Sequence, residues 1–144
     1  MEISVVKKVD LEILNGIKAI IGFLTEPKME ITIESLNTIV EDKESELIIA
    51  RDDNNNIVGS LCLIVYTIPS TKKAFIEDVV VSEQARGLGL GKALVLKAIE
   101  VAKDCEVQYI DLSSNAKRVA ANSLYRKIGF QIRDTNYYRL GLTD

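Results

Sequence analysis

Apolar positions along the chain change period several times, and each change predicts an element. Ile3 to Val6 reads as a short first strand. From Leu11 the spacing turns helical: Leu11, Ile13, Leu14, Ile17, Ile20, Ile21 and Leu24 form one stripe, with Asp10 placed to cap it and Pro27 barring continuation. A shorter helix is expected over about Ile33 to Val40, with Thr32 as its cap. Strand runs follow at Glu46 to Arg51 and from Ile57 to about Thr67. The Asp52-Asp53-Asn54-Asn55-Asn56 cluster between them is a turn signal. After the polar break Pro69 to Lys73, Ala74 to Val81 is a third strand run rich in branched residues.

The second half alternates more regularly. A helix is expected over Leu90 to Lys103, with Leu94, Val95, Ala98, Ile99 and Ala102 on its buried stripe. Then come a short strand at Tyr109 to Leu112, a helix from about Lys117 to Ile128, and Gly129 where a helix-ending glycine belongs. Two closing strands are expected, about Phe130 to Arg133 and Tyr137 to Leu142. The order β-α-α-β-β-β-α-β-α-β-β predicts one α/β (α+β) domain over residues 1–144: a mixed, mostly antiparallel sheet flanked by helices.

Composition narrows the chemistry. With 144 residues, 47% hydrophobic and 27% charged, the chain is long enough for a proper core. A net charge of −3 and a pI of about 5.1 offer no basic field, so neither nucleic acid nor an anionic membrane is an expected partner. The start MEISVVKKVD lacks a signal-peptide core, and no apolar run nears the roughly 18 residues that span a bilayer. A cytoplasmic protein is the expectation. Cys62 and Cys105 are the only cysteines and read as reduced structural residues. The chain has no histidine, which removes the commonest general base and metal ligand; no metal site is expected, and proton transfer must use carboxylate, tyrosine, lysine, thiol or water.

The most informative stretch is Val79-Val80-Val81-Ser82-Glu83-Gln84-Ala85-Arg86-Gly87-Leu88-Gly89-Leu90-Gly91-Lys92. A strand ends, a glycine-rich turn follows and a helix begins, which turns backbone N–H groups and the positive end of a helix dipole toward an anion. Arg86 and Lys92 add charge at the two ends. The dinucleotide pattern G-x-G-x-x-G fails because Lys92 stands in place of the third glycine. The nucleoside-triphosphate pattern G-x-x-x-x-G-K-[ST] fails at Arg86 and Ala93. A purely structural turn for tight strand–helix packing is the competing reading.

Arg86-x-x-Gly89-x-Gly91, following Phe75 to Val81, resembles the R/Q-x-x-G-x-G/A signature of the GNAT superfamily of acyl-CoA N-acyltransferases. Ala120-Ala121-Asn122-Ser123-Leu124-Tyr125-Arg126-Lys127-Ile128-Gly129-Phe130 is similar to that family's second motif, A-x-x-L-Y-x-x-x-G-F. The resemblance runs over essentially the whole chain. It implies that acetyl-CoA (CoA) is the co-substrate. Its pantetheine would pair with the main chain of Val79, Val80 and Val81, where two strands splay apart. Its pyrophosphate would lie on the N–H groups of Gly87, Leu88, Gly89, Leu90, Gly91 and Lys92, beside Arg86. Tyr125 would be the general acid for the leaving sulfur, and a backbone N–H near Val79 the oxyanion donor. Many members carry Asn seven residues before the tyrosine; here that position is Arg118, and Asn122 is the candidate replacement.

Amide formation needs a neutral amine, and an alkyl ammonium has a pKa near 10.4, so a base is required. Glu77, on the strand that would carry pantetheine, is the candidate, set against an ordinary ion-paired strand residue. Asp78 is expected on the opposite face, as a structural hydrogen-bonding residue. Tyr125 falls off the Ala120-Leu124-Ile128 stripe, so core packing does not explain it. Tyr137 and Tyr138 are candidates to wall an acceptor pocket. The triplet Ile76-Glu77-Asp78 resembles glucosamine-6-phosphate N-acetyltransferases, with polyamines, amino acids, peptide N-termini and lysine as further acceptor classes. The expected activity is acetyl transfer to a primary amine, possible homodimer formation included. The alternative is a CoA-binding sensor or assembly domain without turnover.

Overall fold

The structure, a computed structural model, describes residues 1–143. Two compact units divide the chain, Met1–Ser113 and Ser114–Asp144. The first contains β1 (Glu2–Val5), α1 (Leu11–Ile21), α2 (Ile33–Glu41), β2 (Ser45–Arg51), β3 (Ile57–Ile68), β4 (Thr71–Val81), α3 (Leu90–Asp104) and β5 (Ile110–Leu112). The five strands form one sheet in chain order, antiparallel from β1 to β4 and parallel between β4 and β5.

The helices start where the sequence expects them, because local side chains satisfy their first N–H groups. Asp10 accepts from the Ile13 N–H at 2.9 Å. Thr32 and Ser35 close a reciprocal capping box at 3.0 and 2.9 Å. On one sheet face, Ile13, Ile17 and Ile20 of α1 and Leu36 of α2 bury Leu47, Ile49 and Val80. Gly16 makes this possible: a Cβ there would lie 2.8 Å from the Cβ of Ile57. The opposite face carries Ile48, Ala50, Leu61 and Leu63 and receives α3. There Gly59 lets Leu94 approach, since an added Cβ would stand 3.0 Å from its Cδ1 and 3.5 Å from the Cβ of Ala50.

β4 is not a uniform strand. Cys62 pairs with Glu77 and Ser60 with Val80, so Asp78 and Val79 together oppose Leu61. Asp78 takes up the extra length in the left-handed region, φ 53°. Alternation therefore resets at the bulge: Ile76 pairs with Leu63 on the α3 side, whereas Val80 pairs with Ser60 and joins the α1–α2 core. The expected opposite-face placement of Asp78 is replaced by an exposed bulge position.

The second unit holds α4 (Val119–Ile128), closed by Gly129 at φ 123°, whose N–H reaches the Tyr125 and Arg126 carbonyls. The two closing strands expected after it do not form. Residues 130–143 take up no regular secondary structure, and Ile132, Tyr137, Tyr138, Leu140 and Leu142 are exposed. Alternating apolar residues alone do not make a strand, because the backbone groups must also find partners on a neighbouring one. Tyr137 and Tyr138, the candidates for an acceptor wall, are both solvent-exposed. The stripe expected on α4 is also different: Tyr125 is its one buried residue, while Ala120 is exposed and Leu124 and Ile128 are half-buried.

Candidate functional site

The first unit gathers most of the expected site on one continuous run. β5 pairs with β4 only through Ala74, Phe75 and Ile76. Past Ile76, Asp78 to Val81 have no strand paired with them on that edge among the described residues. The bulge takes Asp78 and Val79 out of the ladder on the other edge as well. Main-chain hydrogen-bonding groups of this stretch are thus left for something other than the sheet. Glu77 lies half-buried on the face of its register partner Cys62, just before the bulge.

Beyond Val81 the chain makes a short 3-10 turn, Glu83–Ala85, anchored by buried Ser82 and Ala85. Arg86, Gly87, Leu88 and Gly89 follow as an exposed loop, with Arg86 above the Phe23 ring at 5.9 Å. Gly87 and Gly89 adopt φ 83° and 79°, a conformation that side chains disfavour. Gly89 is the N-cap of α3 and makes no side-chain cap, so the first turn, Leu90, Gly91 and Lys92, presents its N–H groups without a capping oxygen. A Cβ at Gly87 or Gly89 would meet nothing within 4 Å. The cradle is therefore open, positively poled and free of side chains, which fits a diphosphate. Among the described residues no group of His, Cys, Asp and Glu is arranged to hold a metal. No helix among the described residues is long and apolar enough to cross a membrane.

Tyr125 and Asn122 belong to the second unit. The Tyr125 ring meets Phe130 edge-on, with centroids 6.1 Å apart and planes at 71°. Burial pushes its phenol pKa up, while the charge of Arg118 and a hydrogen-bonding approach by its guanidinium oppose that. The phenol keeps its proton at neutral pH. The Asn122 side chain donates to the Asn115 carbonyl at 2.9 Å, part of the turn that starts α4. One polar atom escaped sequence reasoning: the Ser114 hydroxyl, just past β5, is buried without a hydrogen-bond partner among the described residues. Only its position at the end of a strand beside the splay could have marked it.

Cys62, the register partner of Glu77, is half-buried. Burial above all, then the negative charges of Asp78, Glu77 and Asp42, push its thiol up to about 11.

Comparison with known proteins points the same way. The chain matches the Acetyltransferase (GNAT) family over residues 17–130. It is 27% identical over 140 residues to a glucosamine 6-phosphate N-acetyltransferase of Trypanosoma brucei brucei, covering 93% of this chain and 91% of that one. A mycothiol acetyltransferase of Renibacterium salmoninarum is 30% identical over 106 residues, 70% of this chain and 31% of that one. Among solved structures, an acetyltransferase of Trypanosoma brucei superposes with a TM-score of 0.80 at 26% identity, covering 98% of this chain and 99% of that one. With a family match spanning most of its length and a fold to suit, the chain belongs to the GNAT acetyltransferase family and is an acetyltransferase.

Proposed function

We propose that this acetyltransferase takes its acetyl group from acetyl-CoA and delivers it by direct attack to a primary amine, on a small molecule or on a peptide N-terminus or lysine. The observation that carries this is the continuity of the β4 end: a bulged strand runs straight into a helix head capped by no side chain and preceded by the glycines Gly87 and Gly89. The family match crosses the boundary between the two units, which supports reading residues 1–144 as one functional domain.

When bound, acetyl-CoA supplies the activated acyl group. Main-chain groups of Val79, Val80 and Val81 hold the pantetheine arm as a strand would, and Gly87 to Lys92 with Arg86 take the pyrophosphate. A main-chain N–H freed by the bulge near Val79 donates to the developing oxyanion. Glu77 accepts the amine proton, directly or through water, and Tyr125 gives its proton to the departing sulfur. Asn122 serves the cofactor only if it releases Asn115. The near full-length relative makes glucosamine 6-phosphate the first acceptor to try.

A thermal-shift panel of CoA, acetyl-CoA, ATP and NAD tests the donor, because a ligand that binds only the native state raises the melting temperature. CoA and acetyl-CoA should stabilise the protein and the other two should not. An amine panel followed by free-thiol release then tests transfer. Stabilisation by ATP or NAD with none by CoA would sink the reading.

A further inference from the structure

We infer that Phe23 is the positioning residue of Arg86: its ring holds the guanidinium at the head of the glycine loop, ordered in advance for the cofactor's pyrophosphate. This rests on the pyrophosphate role proposed for that loop. Both residues belong to the first unit. The guanidinium carbon of Arg86 stands over the Phe23 ring, 5.9 Å from its centroid, within the distance at which a ring face attracts a cation. The backbone is fixed on both sides of the contact. Phe23 lies in the turn that closes α1, its N–H donating to the Ile20 carbonyl at 3.0 Å and the next N–H, of Leu24, to the Ile21 carbonyl at 3.0 Å. Arg86 ends the 3-10 turn, its N–H donating to the Glu83 carbonyl at 3.3 Å.

Core packing does not account for Phe23. Its neighbours Ile21 and Leu24 pack against the α1–α2 core, whereas Phe23 keeps 40% of its surface in water. Nor does a carboxylate hold Arg86: among the described residues it forms no salt bridge. A long side chain on an exposed loop samples many rotamers, and fixing one of them when an anion arrives weakens binding. A carboxylate would fix it as well, but would offset its charge and occupy the N–H fork that a diphosphate needs. A ring face does neither. The guanidinium keeps its charge and its in-plane donors while losing freedom. The contact also joins the connection between α1 and α2 to the cofactor loop, so residue 23 becomes a determinant of cofactor affinity that lies outside the loop's own sequence.

The test is a double-mutant cycle on CoA affinity, read by calorimetry on the full chain with Phe23→Leu, Arg86→Met and the two combined. Arg86→Met should raise the Kd for CoA by about tenfold or more, the size of a lost charge-assisted contact. Phe23→Leu, apolar but without a ring face, should raise it roughly three- to tenfold by releasing Arg86. Phe23→Tyr keeps the ring and should restore the parent value. In the Arg86→Met background, Phe23→Leu should change nothing further. An equal effect of Phe23→Leu in both backgrounds would mean local packing and overturns the inference. A CoA affinity unmoved by Phe23→Leu, or not restored by Phe23→Tyr, overturns it too. In each of these cases the weakened Arg86→Met protein leaves the pyrophosphate assignment standing. An Arg86→Met protein that binds CoA as tightly as the parent removes Arg86 from the pyrophosphate site, and the inference falls with it.

Discussion

Tyr125→Phe isolates a single proton. It keeps the ring against Phe130 and removes the hydroxyl. If the phenol is the general acid, the rate at saturating acetyl-CoA should fall by roughly 10²- to 10⁴-fold. Acetyl-CoA affinity should change little, since one hydroxyl is worth about 1 kcal/mol. A rate within a few-fold of the parent would discard the assignment. Cys62 gives a second test at the same scale. Its thiol, raised to about 11, stays protonated through neutral pH, so iodoacetamide at pH 8 should leave it unmodified in the native protein. The linkage has a definite sign. Below about pH 8.5 the thiol is neutral folded or unfolded and its burial costs nothing. As pH climbs toward 11 only the unfolded state ionises, so stability should decline across that window more steeply in the parent than in Cys62→Ala. Rapid alkylation at pH 8 would refute the burial argument.

For elements, the glycine loop makes the sharpest prediction. Gly89→Val puts a β-branched side chain at φ 79°, costing on the order of 1–2 kcal/mol of stability, and projects it into the open cradle. CoA binding should be abolished in a protein that still folds, read by the loss of its thermal shift; unchanged CoA affinity would remove the pyrophosphate assignment. Much of this level was legible in the sequence. Asp10, Thr32 and the Leu94-Val95-Ala98-Ala102 stripe announce their helices because caps and 3.6-residue periods are local. The bulge was not legible, because Glu77-Asp78-Val79 reads as an ordinary strand and the left-handed turn at Asp78 is set by pairing with β3. Asp is among the few side chains that tolerate that conformation, which is the one hint present. Phe130 to Leu142 failed the other way: the alternation is there, but no strand forms among the described residues. Tyr125 was misjudged because an apolar stripe says nothing of where a large polar-tipped ring is buried.

At the scale of the whole molecule, the exposed tail is the main unfinished business of the surface. Ile132, Tyr137, Tyr138, Leu140 and Leu142 leave large apolar side chains in water. A second copy offering the same segment would cover both by an isologous contact, as the homodimer expected from the sequence would require. Light scattering at micromolar concentration should return twice the 16.0 kDa chain mass, and a Tyr138→Glu/Leu140→Glu variant should return one. A monomeric parent would contradict the dimer.

The bare edge of β4 past Ile76 has a consequence for how the protein behaves in a tube. Asp78 to Val81, three of them valine, have no strand beside them on that edge among the described residues and are a template on which another chain can order its own backbone, the first step toward a cross-β deposit. The edge proposed to hold an extended ligand is for that reason also the place where the unliganded protein should be sticky. Occupying it would act as a plug, so CoA should delay the onset of turbidity on warming by more than the rise in melting temperature accounts for.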